Sequence, residues 1–202
     1  MTFTPERLAL LADPRLAEIE PLLAERLEAA CRKLTAGNFG SLVDCLMERM
    51  MKDAMVFLGA QVLIISMLDA PKEYLVAAYV IGAARKTKVG TRRRVYDGLR
   101  GLVFANEQTF CQNDFTRSPF FDPSVDAEPP IPANVLAAPL GIGSEVRCVL
   151  TIIKTKAATD APDPIGFGPD DVARIDLLAA TLGCLIEHRL IGMITGLNDA
   201  AH

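Results

Sequence analysis

The chain has 202 residues, an apolar fraction of 50% and a formal net charge of −4, with 21 basic against 25 acidic side chains. That length allows one domain with a substantial core plus extra helices, and the hydrophobic content excludes a disordered chain. The mildly acidic balance argues against nucleic acid as the main partner, because neutralising a phosphate backbone needs a dominant basic surface.

From Pro14 to Leu34, Leu16, Ile19, Leu22, Leu23, Leu27, Ala30 and Leu34 recur at helical spacing with charges between them, which predicts an amphipathic helix. Gly37-Asn38-Phe39-Gly40 breaks it, Ser41 can cap, and Leu42 to Met55 predicts a second helix rich in methionine. Val62 to Leu68 and Leu75 to Ile81 are β-branched runs around Asp69-Ala70-Pro71-Lys72, a predicted hairpin. The cluster Arg85, Lys86, Lys88, Arg92, Arg93 and Arg94 reads as a solvated loop ahead of an anion or nucleic-acid site. Five prolines between Thr116 and Pro132 (Pro119, Pro123, Pro129, Pro130 and Pro132) forbid regular structure there, so a lid, a binding loop or disorder is expected. Val135 to Leu140 and Val146 to Ile153 predict a second hairpin around Gly141-Ile142-Gly143-Ser144. Asp170 and Asp171 then open a long last helix carrying Val172, Ile175, Leu178, Leu182, Leu185, Leu190 and Ile194 on one stripe.

This organisation divides into an N-terminal helical segment over residues 1–40, a domain over 41–196 that includes the last helix, and a tail over 197–202. No apolar run is read as membrane-spanning, and Glu6, Arg7 and Asp13 occupy the place of a basic leader, so no membrane partner and a cytoplasmic setting are expected. Cys31, Cys45, Cys111, Cys148 and Cys184 are odd in number, widely spaced and free of any Cys-x-x-Cys pair, which argues against a disulfide framework and a zinc site. Cys31, Cys45 and Cys184 are expected to pack as small hydrophobes on helices. His188 stands beside Glu187 and Arg189 on the last helix and His202 is terminal; with no His/Cys cluster in the chain, no metal or other cofactor is expected.

The most informative stretch runs from Tyr96 to Asp114. Gly98-Leu99-Arg100-Gly101-Leu102-Val103-Phe104-Ala105-Asn106 reads as a turn and a short helix, and Thr109-Phe110-Cys111-Gln112-Asn113-Asp114 as a strand closed by a turn. Gly98 and Gly101 lack the third glycine and the Lys-Ser/Thr of a phosphate loop, so they are read as a structural turn. Taken with Asp114 to Asp122, Ala137-Ala138-Pro139-Leu140 and Val149-Leu150-Thr151-Ile152-Ile153, this order resembles GAF domains, the small-molecule sensor modules of signalling proteins, from about Leu42 to Leu190. The resemblance implies an α+β, profilin-like fold: an antiparallel sheet with N- and C-terminal helices on one face and a loop-covered pocket on the other. It also implies a non-catalytic regulatory module. The cysteine set of GAF-like free methionine-R-sulfoxide reductases has no counterpart in the Thr116 to Pro132 loop, and the Cys-His pair used for bilin attachment is missing. Of the pattern of cyclic-nucleotide-binding members, Phe167 and Asp171 match, while Lys154-Thr155 and Val172 depart from it.

Strand alternation assigns the faces. In Val146 to Ile153, Cys148, Leu150 and Ile152 form an apolar side suited to the terminal helices, and Arg147, Val149, Thr151 and Ile153 a mixed side suited to the pocket. Thr151 then offers a hydroxyl to a ligand, and Arg147 either a rim cation or a solvated edge; Ser66 and Tyr79 are the polar contributions of the first hairpin. Asn113 and Asp114 read as an Asx turn or, by the resemblance, as pocket border; Cys111 brings a thiol nearby, and Phe120 and Phe121 either cover the pocket or fill it. Three functions follow: a small-molecule sensor acting through terminal helices in a homodimer, with a protein output partner possible; a dimerisation platform with a filled pocket; and redox chemistry at Cys111. The seam expected to drive dimerisation is Leu182, Leu185 and Ile194.

Overall fold

The computed structural model describes residues 14–82, 89–122, 126, 130–158 and 160–196. The tail over 197–202, the start of the N-terminal segment, and Arg85, Lys86 and Lys88 lie outside them. Helices α1 (Pro14–Cys31) and α2 (Cys45–Phe57) lead into the hairpin β1 (Val62–Leu68) and β2 (Tyr74–Gly82). Then follow β3 (Arg92–Arg94), α3 (Gly98–Asn106), β4 (Phe110–Gln112), the hairpin β5 (Ile131–Ile142) and β6 (Glu145–Lys156), and α4 (Pro169–Thr195). The strands form one antiparallel sheet in the order β3-β2-β1-β6-β5-β4, which is the α+β architecture anticipated from the sequence.

Both faces of that sheet are covered, because the central strands are apolar at nearly every position. Leu63, Ile65, Met67, Leu136, Leu140, Cys148, Leu150 and Ile152 pack under the helices with Met47, Met51, Ile175, Leu182 and Ile186. Val62, Ile64, Val135, Ala137, Val149 and Ile153 face the other way, under Leu99 and Val103 of α3 and under Phe115. The alternation expected for β6 therefore holds from Cys148 to Ile153. Each fully buried Leu or Ile contributes about 1.5–3 kcal/mol of transfer free energy, and this double-sided burial fixes the strand register.

Several local expectations are corrected. Asp44, not Ser41, caps α2: its Oδ1 accepts from the Met47 N–H at 2.8 Å, while Ser41 Oγ donates to the Asn38 carbonyl. The arginines expected in a loop form edge strand β3, a place where charged side chains block further pairing. β5 starts at Ile131 and carries Pro132, next to a register shift that accommodates the missing N–H. Cys45 and Cys184 are exposed, whereas Cys31 and Cys148 are buried.

Helix α4 is long and apolar enough by length and composition to cross a membrane, with a mean hydropathy of 1.5 in its best 18-residue window. In this fold it is a sheet-covering helix, with Ile175, Leu178, Ala179, Leu182, Gly183, Ile186 and Leu190 buried. Gly183 sets how closely it lies, because a Cβ there would stand 2.5 Å from the Gly141 carbonyl oxygen. Leu182, expected in a free seam, is 1% exposed and already used by this packing.

Candidate functional site

The face away from the long helices carries the candidate pocket, and α3 builds it. The helix starts after Asp97, whose side chain caps nothing, and Gly101 allows its first turn to lie directly on the preceding segment. A Cβ at Gly101 would stand 2.6 Å from the Val95 carbonyl oxygen and 2.7 Å from the Tyr96 carbonyl carbon. This close approach brings Arg100 and the α3 N-terminus over Val135, Thr151 and Ile153, with Phe115, Phe120, Pro132, Arg93 and Asp126 completing the lining. The enclosed space is about 30 Å³, room for about two waters.

Polar groups converge on this small space. Arg100 Nη1 donates to Ser66 Oγ at 3.1 Å, and Arg100 forms no ion pair among the described residues. Burial pushes its guanidinium down to about 10; the charge of Arg93 acts in the same direction and that of Asp126 opposes it. It thus remains a cation at neutral pH. Thr151 is 1% exposed, and its Oγ1 is the one buried side-chain polar atom among the described residues without a protein hydrogen-bond partner. Arg93 Nη2 donates to Asp126 Oδ1 at 2.8 Å, and the Asp122 N–H donates to the other carboxylate oxygen at 3.2 Å. A half-buried cation, an unpaired hydroxyl and an apolar wall are the ingredients of a small-molecule site.

Of the residues singled out in the sequence, Thr151 and Phe120 line this space. Ser66 lies beside it, occupied by Arg100, and Phe121 packs edge-on to Phe115 with ring centroids 6.0 Å apart. Five others lie elsewhere. Tyr79 is on the helix face: the irregularity between Ile65 and Ser66 pairs Ile65 with Tyr79 and Ser66 with Ala77, so Ala78 and Tyr79 both pack on the helical side. Arg147 is displaced in the same way, since Leu140 pairs with Cys148 and Gly141 with Val146, leaving Arg147 as the extra residue. Its guanidinium reaches Glu28 of α1 at 3.2 Å and donates to the Ile142 carbonyl at 3.0 Å, a latch between helix and hairpin. Hydrogen bonds from Ser144 hold the Glu28 carboxyl below its ordinary value, with Arg147 contributing. Cys111 pairs with Leu136 of the helix face.

Asn113 is a clamp: its Oδ1 accepts from the Phe167 N–H at 2.8 Å, and its Nδ2 donates to the Phe167 carbonyl at 3.1 Å. Asp114 adopts a left-handed conformation (φ 53°), and its N–H donates to Asn134 Oδ1 at 3.1 Å, turning the chain into the short 3-10 turn Phe115–Arg117. The residues that match the cyclic-nucleotide pattern are also architectural. Lys154 Nζ lies 4.3 Å from the Phe167 ring centroid and donates to the Ile165 carbonyl, while Asp171 Oδ2 accepts from the Gly168 N–H. Sequence reasoning missed Arg93, Arg100 and Asp126. The available signal was Arg100 itself, the lone cation of an otherwise apolar short helix.

Comparison with known proteins places this geometry. No protein-family model matches the sequence, and no curated protein matches it either. Among solved structures, the GAF domain of a phosphoenolpyruvate-protein phosphotransferase from Coxiella burnetii is 17% identical with a TM-score of 0.59, over 90% of this chain and 98% of that one. The GAF domain of A. aeolicus nlh2 in an inactive state is 18% identical with a TM-score of 0.56, over 88% and 99%. The free methionine-R-sulfoxide reductase of Neisseria meningitidis, in complex with its substrate, is 16% identical with a TM-score of 0.53, over 91% and 95%. The chain has the GAF-domain fold, shared by regulatory domains and by some enzymes.

Proposed function

We propose that this chain is a non-catalytic sensor module that binds a small molecule between α3 and the β1–β6–β5 face and passes the event to its terminal helices. One observation carries the reading: in a core where other buried side-chain polar atoms among the described residues are paired, Thr151 Oγ1 is left without a protein partner in the same space as a half-buried Arg100. Leaving a buried hydroxyl unpaired costs about 1–3 kcal/mol. A hydroxyl that no protein group satisfies, on a residue lining a cavity, is one that a ligand completes. The GAF domains among the structural neighbours, one of them from a two-component sensor histidine kinase of Bacillus halodurans, support a regulatory role.

The redox alternative finds less support. Cys111 is exposed, yet partial desolvation of its thiol pushes it up, with Asp171 adding to the effect and Lys154 opposing it, which disfavours the thiolate a nucleophile needs. The filled-pocket platform is favoured by one observation, the space of only about 30 Å³ beneath Phe120. A thermal-shift screen of small metabolites separates the two readings: a sensor gives compounds that raise the melting temperature of the wild type and not of Thr151→Val, and a filled platform gives none.

Transmission through a homodimer belongs to the same proposal, with a protein output partner downstream. The outer side of the helical layer supports it, since Ile19 and Leu22 of α1 and Leu177 and Met193 of α4 are each at least 50% exposed. Light scattering at micromolar concentration is expected to give twice the chain mass, and a monomer there removes the dimer. The free cysteines fit a reducing, cytoplasmic setting.

A further inference from the structure

We propose that Asp126 occupies the anion position of this pocket as a built-in stand-in, and that the ligand is a small carboxylic acid whose carboxylate replaces it between Arg93 and Arg100. This rests on reading the face as a ligand chamber. Asp126 is 6% exposed and lines the same space as both arginines, with its Oδ1 on Arg93 Nη2 at 2.8 Å and its Oδ2 on the Asp122 N–H at 3.2 Å. One buried carboxylate thus pairs with Arg93, while Arg100 lines the same space with only the Ser66 hydroxyl as its partner among the described residues. The remaining acid of the lining, Asp97, is exposed and pairs with neither arginine. Arg100 is half-buried and has no counter-ion of its own, so a further anion, or a better-placed one, stabilises the site.

The geometry also selects the class. A space of about 30 Å³ does not admit an organic ligand beside the Asp126 side chain, but a carboxylate standing where that carboxylate stands needs no new room for its charged end. Guanidinium forks match the planar pair of oxygens of a carboxylate, and the uncapped first turn of α3 opens onto the same space and favours negative charge. Thr151 Oγ1 is a second independent pointer, since it is unpaired, buried and on the sheet side of the space. There it hydrogen-bonds a polar group elsewhere on the acid.

Acetate, with the isosteric neutral acetamide as control, tests this by calorimetric titration of the full chain. Asp126→Asn keeps the shape and removes the competing charge, so acetate should bind the variant at least about tenfold more tightly than the wild type, the scale of one lost close charge contact. The double variant D126N/R100M should lose that gain, and acetamide should bind neither protein. Asp126→Ser carries the same expectation if circular dichroism shows that the Asn variant does not fold. Equal acetate affinity in wild type and variant, binding of acetamide as tight as acetate, or a gain that survives Arg100→Met each overturns the proposal. If acetate fails here while the metabolite screen still yields a compound lost in Thr151→Val, the carboxylate assignment falls and the chamber reading stands. If both fail, both fall.

Discussion

Gly101→Ala is expected to lower stability by about 3 kcal/mol, the upper part of the range for forcing a methyl into a filled core. The added Cβ would meet the Val95 carbonyl oxygen at 2.6 Å and the Tyr96 Cα at 3.0 Å, and these are backbone atoms that no rotamer change can move aside. Relief requires α3 to lift from the segment before it, which exposes Leu99 and Val103 and withdraws Arg100 from Ser66. At about 2–4 °C per kcal/mol for a chain of this size, the melting temperature should fall by about 6–12 °C. Gly40→Ala is the matched control, since nothing lies within 4 Å of a Cβ there. A melting temperature for Gly101→Ala equal to that control would mean that α3 does not depend on this contact.

Asn113→Ala is expected to cost about 2–3 kcal/mol, because it removes two hydrogen bonds and leaves the Phe167 N–H and carbonyl without them. Chemical denaturation of the ligand-free protein measures this. The result separates two roles for the residue: a clamp weakens the free fold, whereas a pure ligand contact leaves it within about 0.5 kcal/mol. Phe167 is 6% exposed and lies over Lys154, so loss of the clamp also loosens the entry to α4. Among the residues expected at the site from sequence, Asn113 is thus the one with the largest structural share.

Much of the fold was legible because its signals are local and repeated. Hydrophobic alternation in β1 and β6, the turn at Asp69 to Lys72, and the glycine-started helix at Gly98 each depend on residues adjacent in sequence. Even the division of β6 into a helix side and a pocket side follows from alternation alone, from Cys148 to Ile153. Alternation fails where a strand inserts an extra residue, and both misplaced polar residues, Tyr79 and Arg147, stand at such points. The bulges leave no sequence signature here, since neither carries a glycine at the inserted position. β3 was hidden for a different reason: three consecutive arginines have no apolar pattern, and an edge strand needs none. The candidate site was only half legible. Thr151 follows from one strand's periodicity, but Arg100, Arg93 and Asp126 come to line one space through tertiary packing that no local rule encodes.

A fold that keeps the Thr151 hydroxyl unpaired for a ligand leaves its mark on the free energy of unfolding of ligand-free Thr151→Val. Valine keeps the shape and removes the group whose burial is uncompensated. The variant should therefore be more stable than the wild type by about 1 kcal/mol, while losing the ligand-dependent rise in melting temperature. A variant less stable than the wild type, still stabilised by the same compounds, would show that the hydroxyl serves the fold and would contradict the account.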